Sequence, residues 1–521
     1  MKKWIVSILC LLLISGSGYF SVNASELSLW IDPVIPKSLQ ARIAWEGTQA
    51  SAQSESDCAL ARIPAASTEK PQHLSMVYVL AAPYPTTRDT VALRTLKAVW
   101  EGKEVPLIRQ ILLDAETARV FTEIWGSPAV NNVQVLAADA LLEIAWEEER
   151  SWALIPFDQL DPRWKVIRVD GVSPFDGDFD PSNYVLSAFW ELTGERGKDC
   201  ELALPALPLS NFEPDKLTSV ALTGTTAMVR RLAYAIEEQG AEFITEQIAP
   251  VLRAADVTHI SNEVSFWEDC APGIPLRLEA RFCSLPGYLD VLKDLGTDVI
   301  ELTGNHLFDW GIDPFLYSLE KYQHEGFHTY GGGSNAEDAS APLLLEHHGN
   351  RLAFIGCNAI GPESVLAADS APGAARCDLN QLIETITELT KTGWQVIVTF
   401  QHFEYPDYSV PAVESHDFYA AAEAGAVIIS GSQAHVPQGF SFVGKSFIHF
   451  GLGNLLFDQL SDLERDSFFD LHYFYDNRYL GNTLETIRQQ ETMQPRFLRS
   501  FERQQFLGNI FSFSDWTRAF K

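Results

Sequence analysis

The sequence is poor in basic residues. Its 521 residues contain 38 lysines and arginines against 69 aspartates and glutamates, a formal net charge of −31. Nucleic acids and anionic membrane surfaces would repel such a chain, so both are excluded as partners. Internal repeats and low-complexity tracts are also lacking, and 46% hydrophobic residues is typical of globular proteins.

Long apolar runs are lacking as well, apart from one at the N-terminus. Lys2 and Lys3 precede an apolar run over Trp4–Ile14, and small residues lead up to Ala24. This pattern predicts a secretory signal peptide over residues 1–24, and an uncleaved membrane anchor is the alternative. We therefore expect an exported protein, extracellular or in the cell envelope or periplasm. It would contact a membrane only through an uncleaved signal.

The cysteines form no Cys-x-x-Cys pair, which excludes the common zinc and redox motifs. Cys10 lies in the signal region, and the six others are an even set, as in disulfide-bonded exported proteins. Buried free thiols are the alternative. Proximity along the chain favours the disulfides Cys270–Cys283 and Cys357–Cys377, which leaves Cys58–Cys200 as the third pair.

A chain of this length is too long for one core, so we expect two or three domains. A polar stretch over residues 197–214 contains three prolines and is typical of a linker. The predicted parts are a signal peptide, a solute-binding-like α/β domain, a linker, a second α/β domain and a C-terminal extension packed on it. Their bounds are residues 1–24, 25–204, 205–217, 218–460 and 461–521.

The first domain is predicted to alternate strands and helices. Met76–Ala82 and Ser151–Pro156 are apolar runs typical of buried strands, and helical patterns cover Asp89–Glu101 and Val135–Trp146. The strand, loop and amphipathic helix of Tyr78–Lys103 resemble one lobe of periplasmic solute-binding proteins, especially those that bind phosphate. A generic α/β domain is the alternative.

The second domain shows a clearer alternation, which indicates a layered α/β architecture. The predicted buried strands are Ser219–Thr223, Val257–Ser261, Asp298–Leu302, Leu352–Gly356, Gln395–Phe400 and Ala426–Ser430. The predicted helices are Ala227–Gln239, Leu285–Leu295, Pro314–Gly326, Leu379–Lys391 and Ala412–Ala424. A hairpin is predicted from Gln438–Val443 and Ser446–Phe450.

Polar side chains follow four of these strands, at ends that converge on one rim of such a sheet. They are Glu263, Asn305 with His306, His402 and His435. This oxygen and nitrogen donor set suits Mn, Fe or Zn. A bound ion would polarise a phosphoryl or carbonyl oxygen, and a neighbouring histidine would act as a general acid. The alternative is a set of hydrogen-bonded rim residues.

Motifs between Val220 and Asp458 resemble those of the CapA proteins, which serve capsule or poly-γ-glutamate synthesis. The resemblance implies a calcineurin-like metallophosphoesterase fold, an α/β sandwich. The matching segments are Arg253–Asp256, Asn262–Glu263, Gly304–Gly311, Tyr330–Gly333, Val396–His402, Glu423–Gly431, Ala434–Gly439 and Phe450–Asp458.

The resemblance also implies roles for individual residues. His306 would be the general acid, Asp309 would orient it, and Arg230 would lie near the substrate anion. The metal ligands would be Glu263, Asn305, His402, Gln433 and His435.

Two positions depart from the family pattern. Thr225 stands where the family has a ligand aspartate, and Gln433 stands where it has the first histidine of a His-x-His pair. A hydroxyl and an amide are poorer ligands for a divalent ion than a carboxylate and an imidazole. We therefore expect the site to hold one Mn, Fe or Zn ion or none.

Two functions follow as hypotheses. The first is a CapA-like envelope protein that acts in polymer synthesis or attachment, as a hydrolase or transferase with a weakened metal site. The second is a catalytically inactive binding or accessory protein. The expected partner is a cell-envelope polymer or a small anionic ligand.

Overall fold

The computed structural model describes residues 24–63, 73–276, 281–403 and 405–521. The apolar run of the predicted signal peptide lies outside these residues. Within the described ranges, no helix has both the length and the apolar character that a membrane crossing requires.

The chain forms two compact units. One contains the described residues up to Met76 together with Ala188–Ser210, and the other contains Val77–Ser187 and Asn211–Lys521. The boundaries fall within the strands Leu74–Pro83 and Ser187–Thr193. The division of the chain predicted from the sequence stays a prediction.

The smaller unit is built on two short parallel strand pairs and a disulfide. Its strands Ser28–Ile31, Thr48–Gln49 and Cys58–Ile63 pair in parallel, and short helices cover Lys37–Gln40 and Gly197–Ala203. Residues 197–203 were expected to begin a linker but form a helix. The reason is that Cys200 is fully buried and bonded to Cys58.

The larger unit begins with an α/β segment over residues 77–187. The strand Leu74–Pro83 pairs antiparallel with Ser151–Pro156 and Trp164–Val169. The expected helix over Val135–Trp146 is wrong in its first part, because Val133–Leu136 pairs as a strand with Gln110–Asp114. The helices are Leu93–Trp100, Ala115–Trp125 and Leu141–Glu147.

Two further sheets form the rest of the larger unit. The strands of the first sheet, in spatial order, are His328–Tyr330, Val299–Glu301, Val257–Asn262, Leu217–Thr226, Asp466–Tyr475, Arg478–Gln489 and Pro495–Phe497, and Asn454–Leu456 also pairs with Leu217–Thr226. Those of the second are Leu343–His347, Asn350–Asn358, Gln395–Gln401, Ile428–Ser430, Ser446–His449 and Phe440–Val443. Asp466–Tyr475 and Arg478–Gln489 therefore complete this sheet, and the helix Ser500–Ser512 follows them, in line with the closing strand and helix expected for this segment.

The two sheets pack face to face with helices on their outer sides. Val220 and Val299 of the first sheet share a buried cluster with Phe354 and Ile397 of the second. The outer face of the first sheet is covered by the helices Arg230–Gln239, Ala241–Thr245, Ala249–Leu252, Leu289–Asp294 and Ile312–Glu325. That of the second is covered by Ala336–Ser340, Leu379–Lys391 and Ala412–Glu423. This confirms the predicted α/β sandwich class.

A buried carboxylate joins the two sheets at the ends of their parallel strands. Glu301 is fully buried and accepts hydrogen bonds from Thr303 Oγ1 at 2.6 Å and from Ser432 Oγ. Its Oε2 lies 3.3 Å from His259 Nε2. Burial by itself would raise the pKa of Glu301, but His259 and the two hydroxyl donors bring that pKa below its ordinary value. Thr303 and Ser432 precede the loops that carry Asn305 and Gln433.

All three predicted disulfides are confirmed: Cys58–Cys200, Cys270–Cys283 and Cys357–Cys377. They close segments with separations of 142, 13 and 20 residues.

Loss of the Cys58–Cys200 bond is expected to cost more stability than loss of the Cys270–Cys283 bond. A longer closed loop removes more entropy from the unfolded chain, by about 4–5 against about 3 kcal/mol in the chain-entropy model. Thermal unfolding of the two double Cys→Ala variants measures the difference. Non-reducing peptide maps that find other pairings or free thiols would contradict this account.

The Glu301→Ala substitution is expected to lower the free energy of unfolding by about 3–5 kcal/mol, because it leaves buried partners without their carboxylate. Glu346→Ala, on the exposed strand Leu343–His347, is the control and should change stability by less than about 0.5 kcal/mol. Urea unfolding of both variants checks this. Equal midpoints for Glu301→Ala and the wild type would be incompatible with a bridging role.

Candidate functional site

The rim formed by the strand ends holds a carboxylate at its centre. Glu263 follows the strand Val257–Asn262, and its backbone N–H donates to the Thr226 carbonyl at 3.0 Å. The Glu263 side chain is 1% exposed. A Cβ at Gly304 would lie 2.7 Å from the Glu263 Cα, so only glycine allows the next strand end to approach this closely.

His306 faces this carboxylate and is held from behind by Asp309. His306 Nδ1 lies 2.8 Å from Asp309 Oδ2, and its Nε2 lies 3.5 Å from Glu263 Oε1. The backbone N–H of Phe282 donates to Asp309 Oδ2 at 2.7 Å, and the Phe282 ring lies 4.3 Å from the His306 ring. Cys283 is disulfide-bonded, so the bond to Cys270 braces the segment that fixes Asp309.

His435 approaches Glu263 from the second sheet. Its Nδ1 donates to Asn454 Oδ1 at 2.8 Å, and its Nε2 lies 3.9 Å from Glu263 Oε1. The Phe457 ring stacks on His435 with a centroid distance of 5.1 Å. The side chain is 6% exposed, so this imidazole is fixed in orientation.

The hydrogen bonds of His306 and His435 favour the same arrangement of the ring proton. In each, Nδ1 carries the proton that an oxygen accepts, which directs Nε2 to the Glu263 carboxylate. Lone pairs on Nε2 and on a carboxylate repel each other at these distances. A proton on one Nε2 removes that repulsion, so the geometry suits a proton held between Glu263 and His306.

Arg230 lies beside this group in a constrained conformation. Its φ is 48°, a left-handed backbone value that is uncommon outside glycine and often marks functional sites. The guanidinium pairs with Asp458 through two nitrogens and lies over the rings of Phe282 at 4.7 Å and Phe457 at 5.3 Å.

His402 is turned to other partners. Its Nε2 lies 3.2 Å from Asp417 Oδ2, and its Nδ1 accepts the backbone N–H of Phe403 at 3.0 Å. Burial lowers the pKa of His402, although the Asp417 carboxylate acts in the opposite direction. With both ring nitrogens engaged, His402 has no lone pair directed at Glu263 in this arrangement.

Thr225 and Gln433 also make contacts of their own. Thr225 Oγ1 lies 3.4 Å from the Ser432 carbonyl, and Gln433 Nε2 donates to Ser261 Oγ at 2.6 Å. The oxygens Asn305 Oδ1 and Gln433 Oε1 are buried and accept no hydrogen bond from the described residues. These are the two neutral oxygens of the predicted ligand set.

The donor set does not fit a two-metal centre. Thr225 and Gln433 replace a carboxylate and an imidazole, and both nitrogens of His402 are engaged elsewhere. Among the residues that the structure describes, no group of three or more histidine, cysteine, aspartate or glutamate side chains is arranged to hold an ion. Of the predicted ligands, the Glu263 carboxylate and the His435 imidazole remain beside two neutral amide oxygens, a weaker set for a divalent transition metal than the family pattern gives.

Several residues of the site were given no role from the sequence. Asn454 orients His435, Asp458 pairs with Arg230, and Phe282 packs on His306. Asn454 and Asp458 lie in a matching segment, Phe450–Asp458, so the motif order was a usable signal for them. For Phe282 the only signal was its position next to Cys283.

Comparison with known proteins identifies the part of the chain that carries this site. The family model described as bacterial capsule synthesis protein PGA_cap matches residues 219–459. The PGA biosynthesis protein CapA of Bacillus subtilis (strain 168) is 25% identical over 256 residues, which are 49% of this chain and 67% of that protein. The capsule biosynthesis protein CapA of Bacillus anthracis is 24% identical over 276 residues, 52% of this chain and 67% of that protein.

Solved structures show only distant likeness. A putative 5'-nucleotidase from Staphylococcus aureus aligns over 57% of this chain and 58% of its own, with 10% identity and a TM-score of 0.36. A phosphate transport receptor from Vibrio cholerae aligns over 33% of this chain and 87% of its own, with 9% identity and a TM-score of 0.27. Scores this low support no conclusion about activity.

The resemblance to CapA proteins inferred from the motifs is thus confirmed over residues 219–459. These residues of the chain are similar to the bacterial capsule synthesis protein family.

Proposed function

We propose that this chain is an exported envelope protein that acts in the synthesis or attachment of a capsule or poly-γ-glutamate type polymer. The rim site would bind an anionic segment of that polymer and act on a phosphoester or γ-glutamyl bond by acid–base chemistry. The single observation that carries the proposal is the aligned Asp309–His306–Glu263 series. A binding surface alone would have no need of it.

Each residue of the series has a definite task in this chemistry. His306 Nε2 donates a proton to the leaving oxygen or nitrogen, and Asp309 stabilises the imidazolium through Nδ1. Glu263 accepts the proton of the attacking water or hydroxyl group. His435, oriented by Asn454, adds a second imidazole at 3.9 Å from the same carboxylate.

The Arg230–Asp458 pair supports recognition of an anionic polymer. The Arg230 side chain is 11% exposed and stacked between two aromatic rings, so it is presented in one orientation. A fixed guanidinium suits carboxylate and phosphate oxygens. With a chain charge of −31, a local cation is what lets an anionic segment approach the rim.

A second candidate function is binding without catalysis. It is favoured by Thr225, Gln433 and the orientation of His402, which together remove the metal chemistry that the family pattern implies. In that case the chain would hold the polymer or a small anionic solute for another protein.

Restoring the two family ligands is expected to create metal affinity. The wild type should retain far less than one Mn²⁺ per chain after dialysis, and Thr225→Asp combined with Gln433→His should retain close to one, because the donor set gains a carboxylate and an imidazole. Elemental analysis of both proteins measures this. A wild type that already holds one equivalent would contradict the weakened site.

His306→Asn is expected to lower polymer-modifying activity by roughly 10²–10⁴-fold while leaving polymer binding intact, because only the acid is lost. His324→Asn changes an exposed histidine, 81% accessible, and is the control. Surface polymer in the source organism and turnover of extracted polymer in vitro are the measurements.

The same pair of variants separates the two candidate functions. Full surface polymer and full turnover with His306→Asn would refute the acid–base proposal. Loss of surface polymer with no turnover in any variant, wild type included, would favour binding without catalysis.

A further inference from the structure

A second polar cavity lies in the larger unit, and none of its lining residues belongs to the rim site. It has a volume of about 170 Å³ and lies between the strands Trp164–Val169 and Arg478–Gln489 and the helix Ser500–Ser512. Its walls carry charges of both signs, and Leu484 and Phe511 form an apolar wall. Such a combination is typical of sites for small polar ligands.

One side of the cavity is an ion triad with an excess positive charge. Asp89 accepts hydrogen bonds from Arg503 Nε at 2.7 Å and Nη2 at 2.9 Å, and its Oδ1 lies 2.8 Å from Lys165 Nζ. The Arg503 and Lys165 side chains are 14% and 12% exposed. Burial lowers the pKa of Lys165 to about 8, although Asp89 opposes this. Two cations thus face one carboxylate.

The opposite charge is supplied by Glu485, which lines the same cavity. No hydrogen bond or ion pair to its carboxyl group is found among the described residues, and burial raises its pKa. Glu485 is partly exposed, and a carboxyl group on the cavity wall that no protein donor contacts is available to a ligand that brings a donor.

The cavity adjoins a larger groove. A groove of about 590 Å³ shares Arg168, Thr483 and Glu485 with it as lining residues. Arg168 is held in place by Asp176, with Nη1 to Oδ2 at 2.9 Å. Glu485 therefore lies where a ligand entering through the groove would reach the ion triad.

We propose that this cavity binds a small zwitterion of the α-amino-acid class. The ligand's ammonium group would meet the Glu485 carboxylate, and its carboxylate would take the remaining N–H groups of Lys165 and Arg503. Leu484 and Phe511 would contact its side chain. A ligand with one charge of each sign matches both unbalanced charges, whereas a plain anion would be repelled by Glu485 and a plain cation by the triad.

Binding of amino acids to the purified exported chain tests this proposal. Calorimetry with a panel of L- and D-amino acids should find at least one that binds with one-to-one stoichiometry. Its N-acetyl derivative and its amide should each bind roughly ten- to a hundredfold more weakly, because each loses one charge-assisted contact. Inorganic phosphate serves as the plain anion and should not compete.

Two variants connect the binding to the cavity. Glu485→Gln should weaken binding by roughly ten- to a hundredfold without lowering the melting temperature, because it removes a carboxyl that has no donor. Glu346→Gln, on an exposed carboxylate 64% accessible, should bind as the wild type does. His306→Asn should also bind normally, which separates this site from the rim.

Three results would overturn the proposal. The first is that no amino acid of the panel binds. The second is that the acetylated form or phosphate binds as well as the free amino acid. The third is that Glu485→Gln keeps full affinity.

Discussion

The buried carboxylate of Glu301 is the interaction on which the rim of the sandwich depends. It is a charged contact between the two sheets at their strand ends, beside their shared apolar packing. Thr303 and Ser432 are each followed within two residues by a residue of the site. Glu263 follows a strand of the first sheet, and His435 follows a strand of the second. The Glu301 carboxylate therefore helps to set the distance between them, because it cannot move without losing its hydrogen-bond donors.

The rim brings together the side chains proposed for proton transfer, whereas two of the predicted metal ligands are engaged elsewhere. Asp309, His306 and Glu263 form a continuous series of contacts, and Asn454 sets the tautomer of His435. In contrast, His402 contacts Asp417, and Gln433 donates a hydrogen bond to Ser261. These two sets of contacts are the basis of the proposed acid–base function.

The sequence predicted the sandwich well where a local signal existed. Every predicted strand of the second domain exists, because buried strands are short apolar runs between turn residues. The pairing of Asp466–Tyr475 with Leu217–Thr226 was not predictable, because the two strands lie far apart in sequence. The start of the helix Arg230–Gln239 was placed too early because Ala227 hydrogen-bonds to the Leu456 carbonyl, a long-range contact.

The same limit applies to the sites. Position at a strand end was enough to predict that Glu263, His306 and His435 lie close together. The orientation of His402 was not predictable, because its partner Asp417 lies on a separate helix. The cavity around Glu485 is assembled from residues 89, 165, 485 and 503, which share no motif. Side-chain orientation and long-range charge pairing could not be predicted from the sequence.

The tautomers of the rim histidines test the central claim most directly. Nitrogen-15 NMR of histidine-labelled protein, before and after one equivalent of Mn²⁺, reports which ring nitrogen carries the proton. We expect protons on both ring nitrogens of His306, Nδ1–H for His435, Nε2–H for His402, and signals that survive the metal. Selective loss of all three signals on addition of one equivalent of Mn²⁺ would contradict a site built on proton transfer without a metal.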